Sequence, residues 1–222
     1  MTTAAYCSTT ELKAAMNKVT ATDDAVLLAV IAAVSRAIDN FCNRPDGFVA
    51  EKQGYESSRY YPGSGKVYQW IDECVDVAAV YVKDSPGDDE SEYVAWVVGD
   101  VGVTDDADVF MAGGDPAYPD YNGTPFQFLI CGANGDYSVF NKSTYPSVKV
   151  TARWGYASTV PSQIKQACIM QSARWYKLVQ GAMARATAGP ELGALIYPGE
   201  LDADVRFILS TGRFVKPPTG HR

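Results

Sequence analysis

Residues Ser147–Gln180 read SVKVTARWGYASTVPSQIKQACIMQSARWYKLVQ, and the stretch predicts one strand running straight into one helix. Val148, Val150, Ala152 and Trp154 alternate with Lys149, Thr151 and Arg153, the period of a strand with one face buried. Gly155 breaks the run, and Pro161 suits the first turn of a helix because its missing amide proton is not needed there. Behind it Ile164, Cys168, Gln171, Trp175 and Leu178 fall on one face at helical spacing, with Ala167 beside them. The rest of the chain is expected to feed that strand or pack on that helix.

Working outward, Gly181–Glu200 is rich in Ala and Gly and predicts a loop. Asp202 can cap a last short helix carrying Val205, Ile208 and Leu209, closed by Gly212. Upstream, Ser8-Thr9-Thr10-Glu11 has the spacing of a capping box, so a short helix with Leu12 and Met16 on one face should follow. Thr22 offers a second cap, with Asp23 and Asp24 placed where the helix dipole favours negative charge. Leu27, Val30, Ile31, Val34, Ile38 and Phe41 form the apolar stripe of a long helix that Pro45-Asp46-Gly47 stops.

Between these helices the texture changes to tyrosines, valines and turn residues. Strands are predicted at Tyr55–Tyr61, Val67–Ile71, Val75–Lys83, Tyr93–Val98, Phe126–Ile130 and Val148–Trp154. The expected fold class is α+β: a helical frame from both chain ends with an inserted antiparallel β domain. The boundaries are N-terminal helices over 1–47, the β domain over 48–154, C-terminal helices over 155–212 and an extended basic arm over 213–222. Leu27, Ile31, Val34, Ile38, Phe41, Trp154, Ile164, Cys168, Trp175 and Leu178 are the predicted core of the helical packing.

The chain has 222 residues, 47% hydrophobic and 20% charged, with a net charge of −7. That length can bury a sizeable core, and the balance is that of a globular protein. An acidic chain is poorly suited to gripping nucleic acid, which requires clustered Lys and Arg. The opening MTTAAYCSTTELK lacks a basic region followed by an apolar core, so no signal peptide is expected. Five scattered cysteines with no CxxC pair suggest neither zinc site nor disulfide framework. They read as small buried hydrophobes of a chain made in a reducing cytoplasm.

Candidate chemistry is sparse. The one histidine, His221, stands next to the end of the tail, where nothing holds a catalytic base rigidly. Gly63-Ser64-Gly65-Lys66 looks like the end of a phosphate loop, but Tyr60 and Val67 stand where that motif needs Gly and Ser or Thr. A hairpin turn is the better reading. The acidic stretch Asp84–Glu92 and the residues Asp100, Asp105, Asp106 and Asp108 lack calcium-loop spacing and read as solvated loops. Tyr55, Tyr60, Tyr61, Tyr68 and Trp70 could form a sugar-stacking face, although aromatics in strands more often pack. No catalytic, cofactor-binding or metal-binding residue is assigned, and no enzyme activity is expected. The tail stands apart: Arg213, Lys216 and Arg222 have no acidic neighbour, and Pro217-Pro218 stiffens it. An acidic chain ending in a stiff cationic arm has the make-up of a docking segment.

The order of these pieces resembles the head–tail connector (adaptor) proteins of tailed bacteriophages. CSTTELKAAM followed by DDAVLLAVIAAVSRAIDNFCNR is similar to that family's opening pair of helices. YYPGSGKVYQWID is like its first hairpin. YNGTPFQFLI, then VKVTARWGYASTVPSQIKQACIMQSARWYK, resembles its strand ending in Trp-Gly-Tyr followed by Val-Pro and a helix, and LDADVRFILSTGRF its closing helix. The segment Lys83 to Asp120 departs from the pattern.

The resemblance implies a structural virion protein at the phage neck, made in the host cytoplasm. Its partners would be itself, in a ring commonly of twelve copies, the portal protein, and the next neck or tail-completion protein. DNA would pass through without specific binding, and no membrane is involved. The resemblance also implies a portal-docking arm, here Arg213, Phe214, Val215, Lys216, Pro217, Pro218 and Arg222, with Phe214 and Val215 as apolar anchors. An aromatic-rich carbohydrate-binding module of a virion or surface is the alternative, marked by glycan binding. A carboxylate-based hydrolase is a weaker one, marked by turnover that one Asp or Glu substitution abolishes.

Overall fold

The structure, a computed structural model, describes residues 5–17, 23–83, 92–100, 105–121, 125–186, 200–212 and 214–216. Its contacts divide the chain into two compact units, Met1–Phe48 with Val160–His221, and Val49–Thr159.

Among the described residues the first unit holds four helices: α1 (Thr9–Ala15), α2 (Asp24–Phe41), α3 (Ser162–Ala186) and α4 (Ala203–Thr211). The capping box of α1 forms as read. Glu11 N–H donates to Ser8 Oγ, and Ser8 N–H donates back to the Glu11 carboxylate at 2.8 Å. Thr22 lies outside the described residues. Asp23 occupies the N-cap of α2 without a side-chain cap bond; its carboxylate instead accepts from the Tyr176 hydroxyl at 2.5 Å. Leu27, Ile31, Val34 and Ile38 are fully buried along α2, whereas Phe41 is half-buried.

Helix α3 packs on all three other helices. Its buried face is Ile164, Ala167, Cys168, Gln171, Ser172 and Tyr176. The stripe drawn through Trp175 and Leu178 steps at a 3.5-residue period, which drifts around a straight helix. Trp175 is half-buried and Leu178 is 45% exposed, while Tyr176 takes the inward position.

Among the described residues the second unit is an eight-stranded mixed sheet: β1 (Ser57–Pro62), β2 (Tyr68–Lys83), β3 (Tyr93–Trp96), β4 (Val98–Gly99), β5 (Val109–Asp115), β6 (Tyr118–Asp120), β7 (Phe126–Cys131) and β8 (Pro146–Trp154). The order is β1-β8-β2-β7-β5-β4, with β3 on β2 and β6 on β5. This corrects the expected fold class. The fold is a mixed sheet with four helices, not a helical frame around an inserted antiparallel domain, because β4 and β5 pair in parallel. Strands of two and three residues such as β4 and β6 are too short to show a period. Gly113-Gly114, a pair whose composition favours a turn, lies inside β5.

Strand β8 buries Val148, Val150, Ala152 and Trp154 in the alternation that its sequence predicts. Trp154 therefore belongs to the core of the sheet rather than to the helices. Strand β2 is one strand of 16 residues where two short ones were expected. Its pairing slips between Trp70 and Cys74, between Cys74 and Asp76, and between Val77 and Ala79. Each slip reverses which alternate residues face inward, so burial passes from Gln69 and Ile71 to Cys74, then Val77, then Val80 and Val82. No single period runs through such a strand. The connection Gly63–Val67 is not a hairpin turn either, because β8 lies between β1 and β2.

Gly155 ends β8 with φ +141°, and a Cβ there would stand 2.4 Å from Ala50 Cα. Its amide donates to Glu73 O at 2.8 Å. Only glycine fits this close approach. Asp108, expected in a solvated loop, is buried. It accepts from Val97 N at 2.7 Å and Asp136 N at 2.9 Å, holding two loops together.

Candidate docking surface

The root of the C-terminal arm is built into the helical unit. Phe214 is buried and meets Phe48 edge-on, with ring centroids 5.7 Å apart. Its carbonyl accepts from Arg44 Nε at 2.8 Å, and the Arg44 guanidinium lies 5.2 Å over the Phe48 ring. Arg44 is itself buried, so this charge-assisted bond and the ring face stand in for the water it has lost. Two residues further, Lys216 N–H donates to Cys42 O, the cap of α2, at 2.9 Å. Gly212 makes the turn possible: a Cβ there would lie 2.2 Å from the Phe214 ring.

A second layer holds Phe48 in place. The Tyr6 hydroxyl donates to Asp39 Oδ1 and accepts from Phe48 N–H at 3.0 Å. Arg36 pairs with Asp39 at 2.7 Å, and its guanidinium lies 5.9 Å over the Tyr6 ring. Burial pushes the Asp39 carboxyl up to about 6, opposed by the Tyr6 hydrogen bond and the Arg36 charge. Burial and the bond to Asp39 also raise the Tyr6 phenol. Asp39, Tyr6, Phe48 and Phe214 thus form one connected support for the arm.

The predicted arm residues part company here. Phe214 packs within its own chain, Val215 is 39% exposed, and Lys216 is tied through its backbone. Arg213, Pro217, Pro218 and Arg222 lie outside the described residues, as do His221 and most of the Asp84–Glu92 and Gly181–Glu200 stretches. Sequence reasoning missed Tyr6, Asp39 and Arg44. Only Asp39 carried a signal, charge within an otherwise apolar helix end, Arg36-Ala-Ile-Asp39.

Elsewhere the sequence candidates resolve into packing. In Gly63–Lys66 three of the four amides that would cradle a phosphate are already used: Gly63 donates to Ser147, Ser64 to Gln69 and Lys66 to Ser64. The five aromatics do not share one surface. Tyr61 turns inward toward Trp154, and Tyr68 and Trp70 cluster with Phe128. Tyr55 and Tyr60 are exposed. Among the described residues no group of three or more His, Cys, Asp or Glu is placed to hold a metal ion, and no helix is long and apolar enough to cross a membrane.

No protein-family profile and no curated protein matches this chain. Two solved structures are similar to it at low identity. A chain of the neck of an empty gene transfer agent (GTA) particle, computed with C6 symmetry, is 14% identical, with 95% of this chain and 91% of that chain covered and a TM-score of 0.49. A chain of the virion of a native GTA particle is 15% identical, with 90% and 83% covered and a TM-score of 0.45. What this chain is similar to, in both cases, is a component of a GTA particle.

Proposed function

We propose that this chain is a structural, non-enzymatic neck protein of a phage-like virion, forming a ring that joins the portal vertex to the next neck or tail protein. The observation that carries the reading is the pinned root of the cationic arm. Phe214, Arg44 and the Lys216–Cys42 backbone bond hold the arm's first residues to the helical unit, so the residues beyond start from a fixed point. A docking segment launched from a rigid base loses less conformational entropy on binding than one on a loose end. The order of sequence motifs supports the same reading.

A closed ring of identical subunits needs heterologous contacts, one face of a subunit meeting a different face of the next. The net charge of −7 suits a DNA passage, because an acidic wall repels phosphate where a basic one would hold it.

The test is to mix the purified chain with its matching portal protein and measure the mass of the complex, alongside a chain ending at Gly212. Ring-sized mass on the portal, lost with the truncation, is the expected result. No association at any salt concentration would sink the reading.

A further inference from the structure

The second unit separates its charges. Residues 84–141, the stretch that carries β3 to β7, hold twelve Asp and Glu and no Lys or Arg. Every Lys and Arg of Val49–Thr159 stands instead in 49–83 or 142–159. Two surfaces of opposite charge result.

The cationic one lies on β1, β8, β2 and β3, on the side of the sheet away from buried Val80, Val82, Val148 and Val150. Tyr60 pairs across to Lys149, Lys149 to Tyr81, and Lys83 to Tyr93. The Lys149 ammonium lies 5.6 Å over the Tyr60 ring, 5.8 Å over Tyr81 and 5.9 Å over Tyr93, and the Lys83 ammonium 4.7 Å over Tyr93. Rings on three strands hold these cations in place, so little side-chain freedom is left to lose on binding. The acidic surface is the corner that leads into β5. Asp105 and Asp106 are exposed there, and buried Asp108 accepts from Asp136 N–H at 2.9 Å, which brings exposed Asp136 to the same corner. Among the described residues none of the three exposed carboxylates is ion-paired.

We propose that the Tyr60–Tyr81–Tyr93 face, with Lys149 and Lys83, docks on the Asp105–Asp106–Asp136 corner of a second copy of this chain. Charge complementarity chooses the occupant and the geometry. Face against face, or corner against corner, sets like charges together, so a two-fold pair is opposed and only face against corner is favoured. That contact is heterologous and leaves each chain one face or one corner for a further copy, as a ring requires. Two lysines on a chain of net charge −7 are too few to hold a nucleic-acid backbone, which needs many phosphates neutralised. The place of this contact in a ring rests on the neck reading above; the contact itself does not.

The experiment is sedimentation equilibrium of the free full-length chain at low salt over rising concentration. The average mass should climb above the monomer and fall back at about 1 M salt, where charges are screened beyond about 3 Å. Lys83→Glu with Lys149→Glu, and separately Asp105→Lys with Asp106→Lys, should each weaken self-association about tenfold or more. Mixing the two variants should restore association, because each keeps the surface the other lacks. One chain carrying all four substitutions should associate again with its charges exchanged, which shows that neither pair acts by unfolding the protein. A wild type that stays monomeric at every concentration overturns the proposal, and so does a mixture that fails to associate. Binding of a short single-stranded DNA through Lys83 and Lys149 without self-association also overturns it and hands the face to nucleic acid. With no portal in the cell, failure here leaves the portal test standing, and failure of the portal test leaves this one.

Discussion

Cys7 Sγ and Cys168 Sγ lie 3.5 Å apart inside the helical unit, although 161 positions separate them in sequence. Cys7 precedes α1, and Cys168 faces inward from α3 with Ser35 and Ser172 beside it. Both are thiols here. Oxidation by glutathione disulfide should join them in two exchanges, each releasing one glutathione: Cys7 forms the mixed disulfide when the short terminal segment opens, and Cys168 displaces the second thiol when it closes. Peptide mapping after trypsin without reductant should recover residues 1–13 linked to 166–174. The link should stabilise the fold by about 2–4 kcal/mol and vanish in Cys168→Ser. Linkage through Cys42, Cys74 or Cys131 instead would refute the pairing.

At Gly155 the demand is steric. A methyl group would meet the Ala50 backbone at 2.4 Å with φ held at +141°. Gly155→Ala should lose about 3 kcal/mol or more. Urea denaturation would show it, and a loss under about 0.5 kcal/mol would mean that the strand end relaxes freely.

Acid should affect Asp39 in a direction opposite to that of most carboxylates. Its folded pKa, about 6, stands above the ordinary 3.8, so the native state keeps a proton that the unfolded chain has released. Stability from this group is full below 3.8 and is lost as the pH climbs through 6. The wild type should therefore lose about 1–2 kcal/mol relative to Asp39→Asn between acid and neutral pH, less than a full conversion because the exposed side of Arg36 is screened. Denaturation curves of both proteins across that window decide it. Parallel pH profiles would refute the assignment.

Two residues of the α3 stripe separate core from surface. Ile164 is fully buried and Leu178 is 45% exposed. Ile164→Ala should cost about 2–5 kcal/mol, and Leu178→Ala no more than about 0.5 in the isolated chain. Equal losses in thermal unfolding would contradict the face described for α3.

Local signals in this sequence were sufficient where one period or one capping pattern ran uninterrupted. The alternation of Val148, Val150, Ala152 and Trp154, the Ser8–Glu11 capping box and the stripe Leu27, Ile31, Val34, Ile38 each depend on neighbours a few positions away, so composition and spacing determine them. The sheet's make-up was not legible in the same way. Bulges reverse the inward face of β2 three times, β4 and β6 are too short for a period, and the parallel β4–β5 pair joins segments that carry no mark of one another. The arm's root was hidden for a related reason. Phe214 finds Phe48, Arg44 and, through Phe48, Tyr6 from opposite ends of the chain, and a contact between residues that distant is decided by which surfaces the fold brings together.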